Sequence, residues 1–447
     1  MTDISKGGAA MERIRITGRR VLAGSIRPAA AKNSVLPLLA ASLLCAKPCV
    51  LRGVPQLSDV EASMALLRAV GANPVRRGPD ILLPPATVSG TVPPELAGAM
   101  RGSVFYLAPL LVRAGRVEMP LPGGCRLGPR PIDIHLAGLG AMGATIREGE
   151  SSVVLCREGP LCGADFTLRL PSVGATLTLL MAAACARGTT VLRGAACEPE
   201  IADTAAFLRM AGAKIEGAGT PVITVHGQED ILPGGGVHLP LPDRIAAATY
   251  AAAVAVAGGR VTVEHCRPGH LAPFLRFLRT AGCEIVAGPD SFTVARDPDT
   301  PLWGGADLCT GAWPGFATDT APLAAAVLLS ARGESRIHDA LFQNRFACAE
   351  GFAAMGARVR ADGRDLWIGG DAALHGADVT APDLRGGAAL VLAALGAKGT
   401  VRISDSGHIR RGYQDLPAEL ATLGARCAYT KTLSDATRKT VPAMQMR

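Results

Sequence analysis

Two phrases in this chain hold residue types that could grip an anion or move a proton. In AAAKNSVLPLLAASLL, Lys32 and Asn33 stand at the mouth of an apolar helix. A lysine entering such a helix needs an anionic partner or a path to water, and the helix start itself attracts anions. Taken alone, the pattern also describes a lysine that snorkels back to solvent. In LPGGCRLGPRPIDIH, a Gly/Pro-rich loop carries Cys125, Arg130, Asp133 and His135. Gly123 and Gly124 leave backbone and thiol open, while Arg126 and Arg130 favour the thiolate. The competing reading is one incidental cysteine among 12.

The elements that position these residues follow from an internal period. A helical apolar pattern, a glycine and a β-type stretch recur at Gly71, Gly143, Gly212, Gly282, Gly356 and Gly424, in steps of 72, 69, 70, 74 and 68 residues. A helix closed by glycine at its C′ position and followed at once by a strand explains the phrase. A second phrase, an almost wholly apolar helix running into a turn and strand, recurs at Gly188, Gly259, Gly333 and Gly399. Such a helix must be buried on all sides. Each unit of roughly 70 residues therefore reads βαβαββ, which is too long for a solenoid repeat. Six units make two pseudo-symmetric lobes of three. The expected lobes are 23–240, and 11–22 with 241–430, leaving a tail at 431–447; the boundary falls in the Pro-rich Leu239 to Asp243, and the first strand, Ile14 to Leu22, is assigned to the second lobe.

Bulk properties narrow the function. At 447 residues, two domains are the default. With 49% hydrophobic and 19% charged residues the chain is compact rather than disordered. The net charge of +8 comes from singly scattered basic residues, which suits small anions better than nucleic acid. Met1 to Arg20 lacks the apolar run of a signal peptide, and Ile245 to Ala257 is too short to span a bilayer, so a cytoplasmic protein that does not meet the membrane is expected. There the cysteines stay reduced, and none has metal-ligand spacing, so neither a metal nor a cofactor is expected.

The phrases AKNSVLP, MRGS, LPGGCRLGPRPIDIH, PSVGAT, EPEIADT, LPDR, FATD, NRF, PDLR and HIRRGY extend over nearly the whole chain. In them the sequence resembles the enolpyruvyl transferase family, of the UDP-N-acetylglucosamine 1-carboxyvinyltransferase type, with the shikimate-pathway enzyme as a more distant cousin. The resemblance implies an α/β fold, a two-lobe inside-out α/β barrel of six βαβαββ units, with the active site between the lobes. It implies that phosphoenolpyruvate and a uridine nucleotide are the substrates. Lys32, Arg130 and Arg411 would clamp the phosphate and carboxylate of phosphoenolpyruvate, a task for which the planar arginine fork is suited. Cys125 would protonate the methylene carbon and Asp319 would take the proton of the attacking hydroxyl. Asp383 and Arg385, with Arg411, would stabilise the charged intermediate. Arg130, Pro131, Ile132, Asp133, Ile134 and His135 would surround the uracil, and Ser172, Val173 and Gly174 the phosphates. Asn33 and Asp319 would hold the sugar, and Arg101 and Leu341 complete the substrate-binding set. For His135 and Asp133 a structural role competes with contact, for Glu198 and Asp243 a capping or pairing role does, and for Arg345 a lobe-packing salt bridge is favoured over contact.

The chain departs from the family pattern at Thr320–Ala321 after Asp319, at Arg169–Leu170–Pro171 before Ser172, and at Cys197, Ala246, Arg410 and Phe105. None of these belongs to the expected clamp, thiol or base; several lie on the expected sugar and diphosphate side. Transfer to UDP-N-acetylglucosamine in peptidoglycan precursor synthesis therefore competes with transfer to another uridine nucleotide such as uridine monophosphate, as in nucleoside-antibiotic biosynthesis. A catalytically silent paralogue is disfavoured because Cys125, Asp319 and the anchoring arginines are all present. One consequence is directly measurable. The epoxide antibiotic fosfomycin, the family's covalent inhibitor, should add once per chain, at Cys125, and faster with the nucleotide bound; intact mass and peptide mapping read this. A thiol that stays unmodified, or an adduct elsewhere, contradicts the assignment of this loop.

Overall fold

The computed structural model describes residues 12–120 and 131–430. Cys125 and Arg130 lie outside the described residues, as does the segment 431–447. Within the described part, six small sheets are present, five of four strands and one of three. In each four-stranded sheet, antiparallel neighbours are joined by one parallel pairing to an outer strand. In the second unit the parallel pairing is reduced to a single bridge between Thr91 and Glu118. The chain is thus an α/β protein built from six related units.

The buried side chains fall into two separate clusters. One draws on residues from Val35 to Leu232. The other takes Ile14, Ile16 and Leu22 together with residues from Ile245 to Cys427. Two strand exchanges tie the ends of these lobes. Gly236–His238 pairs in parallel with Cys49–Leu51, closing the first lobe. Leu22–Ile26 pairs in parallel with Gly259–Val263, inside the second. Residues 23–26, expected in the first lobe, are the rest of that strand and stay hydrogen-bonded in the second. The single strand expected from Ile14 to Leu22 is in fact two, Glu12–Thr17 and Leu22–Ile26, which belong to different sheets.

The apolar helices are buried as their composition requires. Arg244–Ala257 is buried at every position, and it touches both Ala321–Leu328 and Leu384–Gly396, which also touch each other. In the first lobe, Leu107–Ala114 packs on Val173–Ala184. Three of the buried helices begin at a side-chain cap: Ser172 accepts from Ala175 N, Asp243 from Ile245 N and Ala246 N, and Asp383 from Arg385 N and Gly386 N. The cap satisfies backbone donors that burial would otherwise leave stranded. All six glycines of the repeated phrase have left-handed φ, between 95° and 115°, a region that side chains rarely enter. Among the described residues no helix is long and apolar enough to cross a membrane, and no group of His, Cys, Asp and Glu is placed to hold a metal ion.

One buried titratable group belongs to the fold itself. His135, in the first turn of the helix Asp133–Ala141, is 4% exposed, and neither ring nitrogen finds a well-formed hydrogen bond among the described residues. Burial, assisted by the charge of Arg101, pushes its pKa down to about 4. The unfolded chain, with its histidine near 6.5, then binds the proton first, so stability is complete above that value and falls with pH until about 4. The loss over that window is ~3 kcal/mol. Denaturant midpoints taken across the window should therefore fall more steeply for the wild type than for His135→Gln; parallel curves would contradict a buried neutral imidazole.

Candidate active site

The seam between the lobes collects charge. Lys32 opens the helix Lys32–Ala41, whose N-cap position, Ala31, offers no side chain to the backbone. Its ammonium lies 3.2 Å from Oδ2 of Asp59, in the first turn of Ser58–Ala69. The same carboxylate accepts from Arg411 of the other lobe, Nε to Oδ1 at 2.8 Å and Nη2 to Oδ2 at 3.4 Å. Burial pushes the pKa of Lys32 down, Asp59 pulls it back, and Arg385 and Arg411 lower it further.

Asp319 occupies the single 3-10 turn Thr318–Thr320 that leads into Ala321–Leu328. Arg385, anchored at the capped start of Leu384–Gly396, places Nε 3.3 Å from Oδ1, and Arg345 places Nη2 3.7 Å from it. Burial alone would raise this carboxyl. Arg385, Arg345, Arg244 and Lys32 together outweigh burial and hold it far below the usual carboxylate range. Arg345, 2% exposed, also faces Asp339 and donates to Thr318 Oγ1 at 2.9 Å, while the Thr318 hydroxyl donates to Asp339. These contacts pack Arg345 against the turn that carries Asp319. Asp243 and Asp383 cap their helices, and Arg244 reaches across the seam to Glu200 at 3.0 Å. Glu198 accepts from Trp313 N at 3.5 Å, and burial raises its pKa.

A second group gathers on the first-lobe side. Arg101 donates to Pro131 O at 3.5 Å, and its turn, Arg101–Tyr106, touches both Lys32–Ala41 and Val173–Ala184. Asp133 opens its helix and pairs with Arg169 at 2.7 Å. Ile134 is buried. His135 fills the space beside Gly174, where a Cβ would stand 2.8 Å from Nε2 and force the ring to shift. Ser172 spends its hydroxyl on the cap of the helix that Val173 begins. Asn33 follows Lys32 in the first turn of its helix. The expected residues thus form two neighbouring groups joined through the Arg101 turn. Leu341 is 49% exposed, and its backbone N–H donates to Asp339, the carboxylate that also meets Arg345 and Thr318.

The sequence reading missed Asp59, Arg244 and Glu200. A signal for Asp59 was present, because the helical period puts it on the buried face with Val60, Ser63 and Met64, where an unpaired carboxylate is not tolerated. Among the departures, Arg410 pairs with Glu12 at 2.7 Å and stacks over Tyr429, so it braces a sheet. Ala246 is core, and Leu170, in the departing stretch before Ser172, is 42% exposed. From the sequence, the other 11 cysteines lie mainly in apolar helical or strand contexts and would react slowly, an expectation that needs correction at two of them. Burial raises the thiols of Cys266 and Cys283 to about 11 and of Cys185 and Cys427 to about 12, but Cys162 and Cys309 are exposed. Apolar shielding therefore cannot account for selectivity over those two.

The comparisons with known proteins bear on this geometry. The EPSP synthase (3-phosphoshikimate 1-carboxyvinyltransferase) family model matches residues 16–420. A UDP-N-acetylglucosamine 1-carboxyvinyltransferase from Finegoldia magna is 39% identical over 93% of this chain and 98% of its own length. Another, from Halalkalibacterium halodurans, is 41% identical over 93% and 94%. Among solved structures, the enolpyruvyl transferase NikO from Streptomyces tendae superposes with a TM-score of 0.83 at 27% identity, covering 95% of this chain and all of that one. An EPSP synthase from Acinetobacter baumannii, at 17% identity and a TM-score of 0.69, shares the fold. With the family model spanning most of the chain and relatives near 40% identity along it, this protein belongs to the EPSP synthase family and is an enolpyruvyl transferase.

Proposed function

We propose that the chain transfers the enolpyruvyl group of phosphoenolpyruvate to a sugar hydroxyl of UDP-N-acetylglucosamine, with release of phosphate, in peptidoglycan precursor synthesis. The names of the relatives support this acceptor. The observation that carries the chemistry is the Asp319 carboxylate, held ionised by arginines beside a lysine and an arginine from opposite lobes.

In the proposed mechanism Lys32 and Arg411, with Arg130, hold the phosphate and carboxylate of phosphoenolpyruvate. Asp319 takes the proton of the acceptor hydroxyl as its oxygen bonds to C2, and Cys125 gives a proton to C3, which becomes a methyl group. Arg385 and Arg411 offset the charge of the tetrahedral adduct. In the second half the proton transfers reverse: the Cys125 thiolate takes a proton from the methyl group, the bond from C2 to the phosphate oxygen breaks as that oxygen takes the proton from Asp319, and the double bond re-forms as an enol ether with phosphate released. The neighbouring cations hold Asp319 below the usual carboxylate range. The negative charge of phosphoenolpyruvate offsets the same cations and raises its proton affinity, so the base becomes competent once the site is filled. Donors from both lobes also favour closure around the substrates, which keeps water from the reacting carbon.

A second reading has its own support. Arg169 is committed to Asp133 and the neighbouring Leu170 is exposed and apolar, which thins the positive charge available to a diphosphate. A uridine nucleotide with less phosphate, such as uridine monophosphate, would suit that wall, and NikO shows that a close structural likeness exists outside the relatives named for the sugar nucleotide.

Phosphate release from phosphoenolpyruvate, followed with UDP-N-acetylglucosamine and with uridine monophosphate side by side, separates the two. The first reading expects the larger kcat/KM with the sugar nucleotide, and Asp319→Asn should cut kcat by ~10²-fold or more. Preference for the monophosphate overturns the acceptor assignment; release with neither overturns both.

A further inference from the structure

Asp59 is a strongly placed charge at the seam that the mechanism does not use. It is 4% exposed, and both of its oxygens are occupied by cations from different lobes: Oδ1 by Arg411 Nε, and Oδ2 by Lys32 Nζ and Arg411 Nη2. We propose that Asp59 is a positioning residue for the phosphate-binding clamp: its carboxylate sets the spacing of Lys32 and Arg411 across the seam and stands in for the substrate's anion until phosphoenolpyruvate takes over part of that contact.

Three observations carry this. First, the geometry is that of an oxyanion held by a fork and an ammonium, which is how the same two cations would hold a phosphate edge. Second, Asp59 is fixed by its backbone rather than by a flexible arm. It lies in the first turn of Ser58–Ala69, where the helix dipole favours a carboxylate, and that helix touches the turn Ile409–Arg411. A separate link, Gln56 N to Gln414 Oε1 at 3.0 Å, pins the same two segments together. Third, two partly buried cations brought together without an anion would repel, so the clamp requires a carboxylate between them. The short side chain and the helix register fix where the cations meet, leaving them preorganised for the incoming phosphate.

The role has a signature that a merely structural residue lacks. The groups facing Lys32 are Asp59 on its helix, Arg385 at the start of Leu384–Gly396 and Arg411 on its turn, with Asp319 on the turn Thr318–Thr320 also within electrostatic reach. Asp59 raises the proton affinity of the ammonium, whereas burial and the two arginines lower it. Without the Asp59 charge, Lys32 loses its proton at lower pH, and with it the hold on the substrate anion.

The proposal rests on the reading of Lys32 and Arg411 as the phosphate clamp, so the test carries a control for that reading. Steady-state kinetics of the full chain over a pH series would compare the wild type with Asp59→Asn, Asp59→Glu and Arg411→Ala. Asp59→Asn should raise KM for phosphoenolpyruvate by ~10-fold, as for a lost charged hydrogen-bond partner, with a smaller effect on kcat. The alkaline limb of kcat/KM for phosphoenolpyruvate should move down by about one pH unit or more. Asp59→Glu, which keeps the charge but moves the cations, should raise KM while leaving that limb in place. If Arg411→Ala raises KM and Asp59→Asn leaves both KM and the limb unchanged, the clamp stands and the role of Asp59 is refuted. If Arg411→Ala leaves KM unchanged, the clamp reading itself fails, and the proposal with it. Should Asp59→Asn not be recovered folded, Asp59→Glu decides: a wild-type KM overturns the proposal.

Discussion

Burial of like charges at the seam is the constraint on which the rest of this structure depends. Lys32, Arg244, Arg345, Arg385 and Arg411 converge on a region that two hydrophobic clusters have largely closed to water. Cations in such a place persist only where carboxylates are shared among them. Asp59 serves Lys32 and Arg411, Asp319 serves Arg385 and Arg345, and Glu200 serves Arg244. Two of these arrangements, at Asp59 and at Glu200, cross from one lobe to the other, so the electrostatic balance and the relative placement of the lobes are one problem. A site balanced in this way is also a site that receives a small polyanion, because an added negative charge finds donors already oriented.

The fold supplies that orientation through helix starts. Lys32, Asp319, Asp243 with Arg244, and Asp383 with Arg385 all sit where an apolar helix begins, and each of those helices is anchored in a core along most of its length. The side chains at the seam therefore inherit the rigidity of the cores behind them, while the caps absorb the backbone donors. The repeated unit explains why the same position recurs: in four of the units the buried helix runs into a left-handed glycine turn and a strand, at Gly188, Gly259, Gly333 and Gly399, and leaves its start free to carry a charged or capping side chain.

Much of this was readable in the residues, and the failures have physical causes. The period of about 70 residues and the two lobes were legible because left-handed glycines and fully apolar helices leave strong local signatures, as at Gly212 and Arg244–Ala257. The strand Leu22–Ile26 was misplaced because pairing with Gly259–Val263 is a contact over more than two hundred residues, invisible to local pattern. Lys32, Asp319, Arg385 and Arg411 were reached through the family resemblance, and the structure sets them in one charged seam. Asp59 was overlooked since an acidic residue in a helix's first turn usually needs no explanation beyond the dipole; only its helical face distinguishes it. Leu341 carried no local chemistry: it is exposed, and only its backbone is held, by the Asp339 carboxylate that also meets Arg345.

The account requires that the seam perform an addition followed by an elimination, with a proton delivered to the methylene carbon and then one removed from the resulting methyl group. Turnover in deuterium oxide, stopped before completion and read by mass spectrometry of the enol ether product, tests this most directly. A transient methyl group places solvent deuterium in the methylene of the product. Product formed with phosphate release but without deuterium in that methylene would contradict it.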